Sequence, residues 1–210
     1  SWRADKPATL AYAEALDGGD PANKVEFRDE VFLWNAPFNA AATSLVKTPQ
    51  RYDRTTWGND NDAIISDEWY DTRNTKTYII NPSNPSQAPK VIFDRNSQDV
   101  YSDPGNFETR KNEYNRYVLA IENDNAYLLG NGFTKNGQFP FISKFNLKTL
   151  QAKRLYTSAY TDKKEDILEI EDFKKGTVLV QIQSKNEYPN YYLRNIKQKN
   201  KLTPITAFKN

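Results

Sequence analysis

Thr56-Trp57-Gly58-Asn59-Asp60-Asn61-Asp62-Ala63-Ile64-Ile65-Ser66-Asp67 can be laid without a gap over Ser1-Trp2-Arg3-Ala4-Asp5-Lys6-Pro7-Ala8-Thr9-Leu10-Ala11-Tyr12, and Trp, Asp, Ala and an aliphatic residue coincide. In each copy a Trp and a polar turn lead into a strand. Comparable strands centre near Leu128 and Leu179. From Leu10 through Ile65 and Leu128 to Leu179 the spacings are roughly 55, 63 and 51 residues, the length of a large propeller blade. The expected fold is all-β, a partial β-propeller of about four blades, each of four antiparallel strands. The approximate blades are 1–50, 51–96, 97–160 and 161–210, taken as one propeller fragment.

The second repeat shows the four strands best, at 52–57, 63–69, 76–81 and 90–94, with polar, Pro-rich or Asn-rich turns between them. In the third, strands over 126–133 and 138–145 flank Thr134-Lys135-Asn136-Gly137, where Asn-Gly is expected to supply the positive φ angles of a tight antiparallel hairpin. The fourth runs from Ile167 to Phe208. Its Thr177-Val178-Leu179-Val180-Gln181-Ile182 run is apolar enough to suggest burial on both faces, and no closing strand is evident after it. A ring needs its last blade to meet its first, so a four-blade piece implies further blades in a longer polypeptide.

Composition agrees with strands. Of the 210 residues 13% are aromatic, and Ala and Leu are never dense enough to sustain a helical stripe. The net charge of +2 does not produce a field that steers polyanions, so no nucleic-acid partner is expected. No apolar run reaches the roughly 18 residues of a membrane span, and no signal-peptide pattern opens the chain. Cys is absent, which removes disulfides and thiolate chemistry. His is absent too, and imidazole is the usual base beside a nucleophilic Ser and a usual metal ligand. No Gly-x-Ser-x-Gly elbow occurs. This chain alone is therefore expected to hold no catalytic residues, no metal site and no cofactor.

Several stretches look chemical but read better as turns. Gly130-Asn131-Gly132 lacks the Gly-Lys-Ser/Thr of a phosphate loop. Asp60-Asn61-Asp62 and Asp17-Gly18-Gly19-Asp20 gather oxygens without continuing into a twelve-residue calcium loop. The basic cluster Lys197-Gln198-Lys199-Asn200-Lys201 reads as a solvated turn. Glu68-Trp69-Tyr70-Asp71-Thr72-Arg73 could line a peptide-binding cavity, the plainer alternative being an ion pair at a blade edge.

The motif series resembles the propeller of the glutamyl endopeptidase branch of the prolyl oligopeptidase (S9) family of serine peptidases, over nearly the whole chain. It is carried by Trp2 to Leu10, Glu14 to Pro21, Arg28-Asp29, Trp57-Gly58, Glu68-Trp69 with Thr72-Arg73, Asp94-Arg95, Asp103-Pro104-Gly105, Gly130-Asn131-Gly132 with Gly137, Pro140-Phe141, and Ser184 with Pro189-Asn190-Tyr191-Tyr192. Phe133-Thr134-Lys135-Asn136 departs from the small-residue turn expected there.

What the resemblance implies is a parent peptidase whose α/β-hydrolase domain, absent from this chain, carries Ser, Asp and His. The propeller would gate and position peptide substrates. Cleavage after acidic residues would need a basic group facing the cavity; Arg73 is the candidate, with Arg95 behind it. A dipeptidyl aminopeptidase-type exopeptidase would instead use an acid, Glu68, to hold the substrate's amino terminus. A stand-alone binding propeller is the third reading. Implied partners are peptide substrates and the parent's remaining blades and hydrolase domain, and the implied setting is the bacterial periplasm or outside the cell.

Overall fold

A computed structural model of the protein describes residues 1–209. The expected fourth blade, ending at residue 210, extends one residue outside them. Among the described residues there are nineteen strands and no helix. The first sheet has three strands in the order β1 (Thr9–Ala15), β2 (Asp29–Asn35) and β3 (Thr43–Thr48). The second runs β4 (Arg51–Trp57), β5 (Ala63–Trp69), β6 (Asn74–Ile80) and β7 (Lys90–Asn96). Next in the chain come β8 (Asn106–Phe107), β9 (Thr109–Lys111), β10 (Tyr117–Leu119), β11 (Asn125–Gly130), β12 (Phe133–Thr134), β13 (Gly137–Gln138), β14 (Phe141–Asn146) and β15 (Ala152–Thr157). Of these β15-β14-β11-β8 form the third sheet, while β9 with β10 and β12 with β13 are separate hairpins. The fourth sheet runs β16 (Lys164–Asp172), β17 (Thr177–Ser184), β18 (Glu187–Asn195) and β19 (Lys201–Pro204).

All pairings are antiparallel and each main sheet is a meander of strands in chain order. The chain is a partial β-propeller of four consecutive blades. It divides into two compact units, residues 1–98 with 109–119, and residues 99–108 with 120–209 as far as described. In the first unit Val31, Leu33, Leu45 and Val46 of the first sheet pack with Trp57, Ala63, Ile65, Tyr78 and Ile80 of the second. In the second unit Ile142 and Tyr156 of the third sheet pack with Val178, Val180 and Ile182 of the fourth. Burying such side chains is the main force holding each pair of sheets together.

Four expectations change in detail. The first blade has three named strands plus a single Trp2↔Leu10 bridge. The long hairpin of the third blade is broken: β11 pairs β14, and the short β12–β13 hairpin projects between them. Its loop is Lys135-Asn136, and only Gly137 takes a positive φ, +138°. The β17 strand alternates, with Val178, Val180 and Ile182 buried and Thr177, Leu179 and Gln181 half-buried, because its second face is only partly covered. A closing strand does follow: β19 pairs β18 through Lys201-Leu202-Thr203-Pro204, a stretch too short and polar to announce itself.

Candidate functional site

The first unit carries an open recess of about 520 Å³ lined by Gly19, Pro21, Arg51, Tyr52, Asp53, Glu68, Trp69, Tyr70 and Asp71. The β4–β5 pairing creates one wall by placing Arg51 opposite Glu68. The β1–β2 loop creates the rim, and a buried ion network fixes that loop. Asp17 has a fully buried side chain and accepts from Arg28 Nη1 at 2.8 Å and Arg51 Nη2 at 2.6 Å. Its other oxygen accepts the Gly19 N–H at 3.0 Å. Arg51 Nη1 reaches Asp29 at 2.7 Å, and the second Asp29 oxygen accepts the Tyr52 N–H at 2.7 Å. Burial pushes the Asp17 carboxyl up, but hydrogen bonds from Arg51, Arg28 and Gly19 outweigh that and hold it below its ordinary value.

This network neutralises Arg51 before it can serve the recess. What remains on the lining is Asp53, Glu68 and Asp71 among three aromatic rings. Glu68 accepts from Ser97 Oγ at 3.2 Å, and Asp53 accepts from Ser66 Oγ at 2.9 Å. Such a lining favours a cationic group, held by carboxylates and by ring faces. Arg28 already covers the Trp69 ring, 3.8 Å from its centroid, and Arg73 covers one face of the Tyr70 ring, so the carboxylates are the lining's main attraction for a cation.

Of the residues singled out in the sequence, Glu68 lines the recess and the two arginines do not. Arg73 has a left-handed backbone, φ +56°, and lays its guanidinium on the Tyr70 ring at 3.6 Å. That contact takes the place of an ion pair within the Glu68 to Arg73 stretch. Arg95 on β7 donates to the Asn96 carbonyl at 3.0 Å. Asn59 Oδ1 caps the 59–62 turn by accepting the Asn61 and Asp62 N–H groups, the turn chemistry expected of that segment. Sequence reading missed the Asp17, Arg28, Asp29 and Arg51 network. Its signal was three of those residues recurring in the matching motifs with no role attached. No group of three or more His, Cys, Asp or Glu side chains that could hold a metal ion occurs among the described residues. Among the described residues no helix is long and apolar enough to cross a membrane.

Beneath the recess wall lies Asp67, with no exposure. Gln50 N–H and Tyr78 O–H donate to its Oδ2 at 3.2 and 3.1 Å, and Oδ1 meets no donor among the described residues. Burial pushes this carboxyl above its ordinary value, against the pull of these bonds and of Lys76. A raised folded-state value means that the native state binds the proton more tightly than the unfolded chain. The Asp67 contribution is therefore most favourable below the unfolded value and is lost as pH rises through the folded one. Asp67→Asn, which keeps the shape and removes the charge, is expected to raise the unfolding midpoint at pH 7 and to have no such benefit at pH 3. Urea titrations of both proteins across that range check it; an equal effect at both ends would refute it.

No protein-family model matches the chain. Two curated relatives do: it is 36% identical to the probable chloroplastic glutamyl endopeptidase of Oryza sativa subsp. japonica over 99% of this chain, and 37% identical to that of Arabidopsis thaliana over 92%. This chain is related to the glutamyl endopeptidases. It spans 24% and 22% of those two proteins, about a quarter of their length. Similar solved structures include TolB from Acinetobacter baumannii, at 14% identity and a TM-score of 0.44, covering 97% of this chain and 42% of that one. Another is the β-propeller domain of the Trilobed protease from Pyrococcus furiosus, at 11% identity and a TM-score of 0.49, covering 97% of this chain and 55% of that one.

Proposed function

We propose that this chain is a non-catalytic propeller segment of a serine peptidase, and that it gates and positions peptide substrates for a separate α/β-hydrolase domain. The supporting observation is the match of nearly the whole chain to a quarter of each glutamyl endopeptidase relative. A chain without His or a Gly-x-Ser-x-Gly elbow needs its nucleophile and base from elsewhere. A rigid blade array beside such a site would admit peptides and exclude folded proteins.

The test is to assay the parent protein and the 210-residue chain side by side on short peptides with Glu, Pro or a neutral residue at the cleavage site, and on a folded protein carrying the same sites. Cleavage of peptides by the parent alone, with the folded protein spared, is the expected result. A parent inert on all of them, or as fast on the folded protein as on peptides, would overturn the reading.

The carboxylates and rings of the recess favour a second reading for substrate positioning, in which Glu68 holds a substrate amine while Arg73 plays no direct part. Glu68→Gln in the parent is expected to raise KM about tenfold for peptides with a free amino terminus, the effect of losing roughly 1.4 kcal/mol. Acetylated peptides should be unaffected. If instead Arg73→Ala abolishes a preference for acidic substrates and Glu68→Gln changes nothing, the basic-group reading stands and this one falls.

A further inference from the structure

The second unit carries a smaller recess of about 260 Å³, lined by Tyr156, Thr157, Ala159, Tyr160, Arg194 and Asn200. The segment that follows β15 supplies four of these residues, β18 supplies Arg194, and the β18–β19 turn supplies Asn200. The Arg194 side chain is 7% exposed, and its counter-ion Glu165, whose side chain is fully buried, takes only the Nε–H, at 2.7 Å. Nη1 donates to the Asn200 carbonyl and Nη2 to the Tyr160 hydroxyl, both at 3.2 Å. A guanidinium has five N–H donors, so each η nitrogen keeps one that meets no acceptor among the described residues. Three bonds fix the group in place, with the Tyr156 and Tyr160 ring centroids 5.2 and 5.7 Å from its central carbon.

The rest of the lining also offers donors. The Tyr160 hydroxyl accepts from Arg194 and keeps its own proton, Thr157 and Asn200 are exposed, and none of the six residues is acidic. Lys199 and Lys201 flank Asn200, both exposed and neither with a carboxylate partner among the described residues. The basic run from Lys197 to Lys201 is thus the turn that its sequence suggests, and it also builds a wall: Lys199 and Asn200 take left-handed φ angles of +50° and +57°, and the Asn200 carbonyl meets Arg194. In charge this lining is the inverse of the first unit's recess, which holds Asp53, Glu68 and Asp71.

We infer that this recess binds a carboxylate, with the two spare N–H groups of Arg194 taking its oxygens and the tyrosine rings and the Ala159 methyl group packing on the carbon that bears it. A planar fork of donors suits a planar oxyanion. Arg194 is already largely stripped of water and already ordered, which removes part of the cost of binding. Glu165 behind the guanidinium limits the charge of the ligand: a monoanion is accommodated, whereas a dianion such as phosphate meets more repulsion. The volume suits a short organic acid or one acidic side chain, being below that of pockets for drug-sized ligands.

An NMR titration of the 210-residue chain tests this with no peptidase activity involved, so it stands or falls apart from the proposed role in a peptidase. The probes are propionate, its neutral counterpart propionamide, and phosphate; the reporters are the Arg194 Nε–H and the Thr157 and Asn200 amides. Propionate should move all three along one saturable curve, propionamide should leave them still, and phosphate should bind about tenfold more weakly or worse. Ala159→Trp, which fills the recess and spares the Arg194–Glu165 pair, should weaken propionate by about tenfold or more, with unshifted Val178 and Val180 amides reporting an intact fold. Lys199→Ala combined with Lys201→Ala should weaken it about threefold, and less at high salt. Acetyl-glutamate amide separates the sources: binding as tight as that of propionate assigns the site to a peptide side chain, and exclusion assigns it to a free acid. A propionate response that does not saturate, an equal response to propionamide, or tighter binding of phosphate would overturn the inference. So would a propionate response unchanged in Ala159→Trp, which would place the anion on the exposed lysines alone.

Discussion

Glu165→Ala is expected to destabilise the second unit by about 3–5 kcal/mol, the cost of leaving a buried guanidinium without its counter-ion. Glu165, on β16, is 2% exposed, and Arg194, on β18, is 5% exposed. Arg194 Nε donates to Glu165 Oε1 at 2.7 Å, and the Tyr156 hydroxyl donates to Oε2 at 2.6 Å. The guanidinium also reaches the Asn200 carbonyl and the Tyr160 hydroxyl, both at 3.2 Å. Burial alone would depress the Arg194 value, yet the Glu165 charge and these bonds hold it above the ordinary one. The pair therefore joins the third sheet to the fourth through Tyr156.

The control is Glu165→Met with Arg194→Met, which removes both charges and fills the space. It should lose less than Glu165→Ala, because what is costly is the orphaned charge and not the missing attraction. Chemical denaturation of the three proteins, with exchange at Val178 and Val180 reporting on the second unit, checks this. A double variant as unstable as Glu165→Ala would mean that the site matters for its shape alone.

The second large effect is expected at Gly132. Its φ is +63°, and a Cβ there would lie 1.9 Å from the Phe139 carbonyl oxygen, in a segment tied to Gly132 by the Phe139 N to Gly132 O bond at 2.9 Å. Gly132→Ala therefore combines left-handed strain with a backbone collision, for about 3 kcal/mol in all. Gly130 is closed for a different reason, since its Cβ would meet the Phe141 ring at 2.2 Å. That ring is itself covered by Arg154, whose guanidinium lies 3.3 Å from its centroid. Thermal unfolding of Gly132→Ala beside Gly18→Ala gives the comparison, because Gly18 has a similar φ of +70° and a Cβ there meets nothing within 4 Å. Equal losses would show that the conformation of the loop, and not the collision, sets the cost.

Strands, turns and class were legible in the sequence because their signals are local. Ala63 to Trp69 reads as a strand from its own apolar run and its flanking Asn-Asp turn, and the observed β5 has those bounds. The absence of His, a statement about composition, removed a His-dependent triad with no need of coordinates. Gly130-Asn131-Gly132 could be read as a turn, but not that Phe139 and Phe141 are what forbid a side chain there.

What only the tertiary structure decided is the fate of charge. In Lys163-Lys164-Glu165-Asp166, four charged residues in a row, Glu165 alone is buried, because an arginine 29 positions on and a tyrosine from another sheet converge on it. Asp17 looks like a turn residue and is one, but it also holds Arg51, 34 positions away, and so leaves the recess acidic. Backbone conformation follows from neighbours in the chain. The burial of a charge and the sign of a recess follow from neighbours in space.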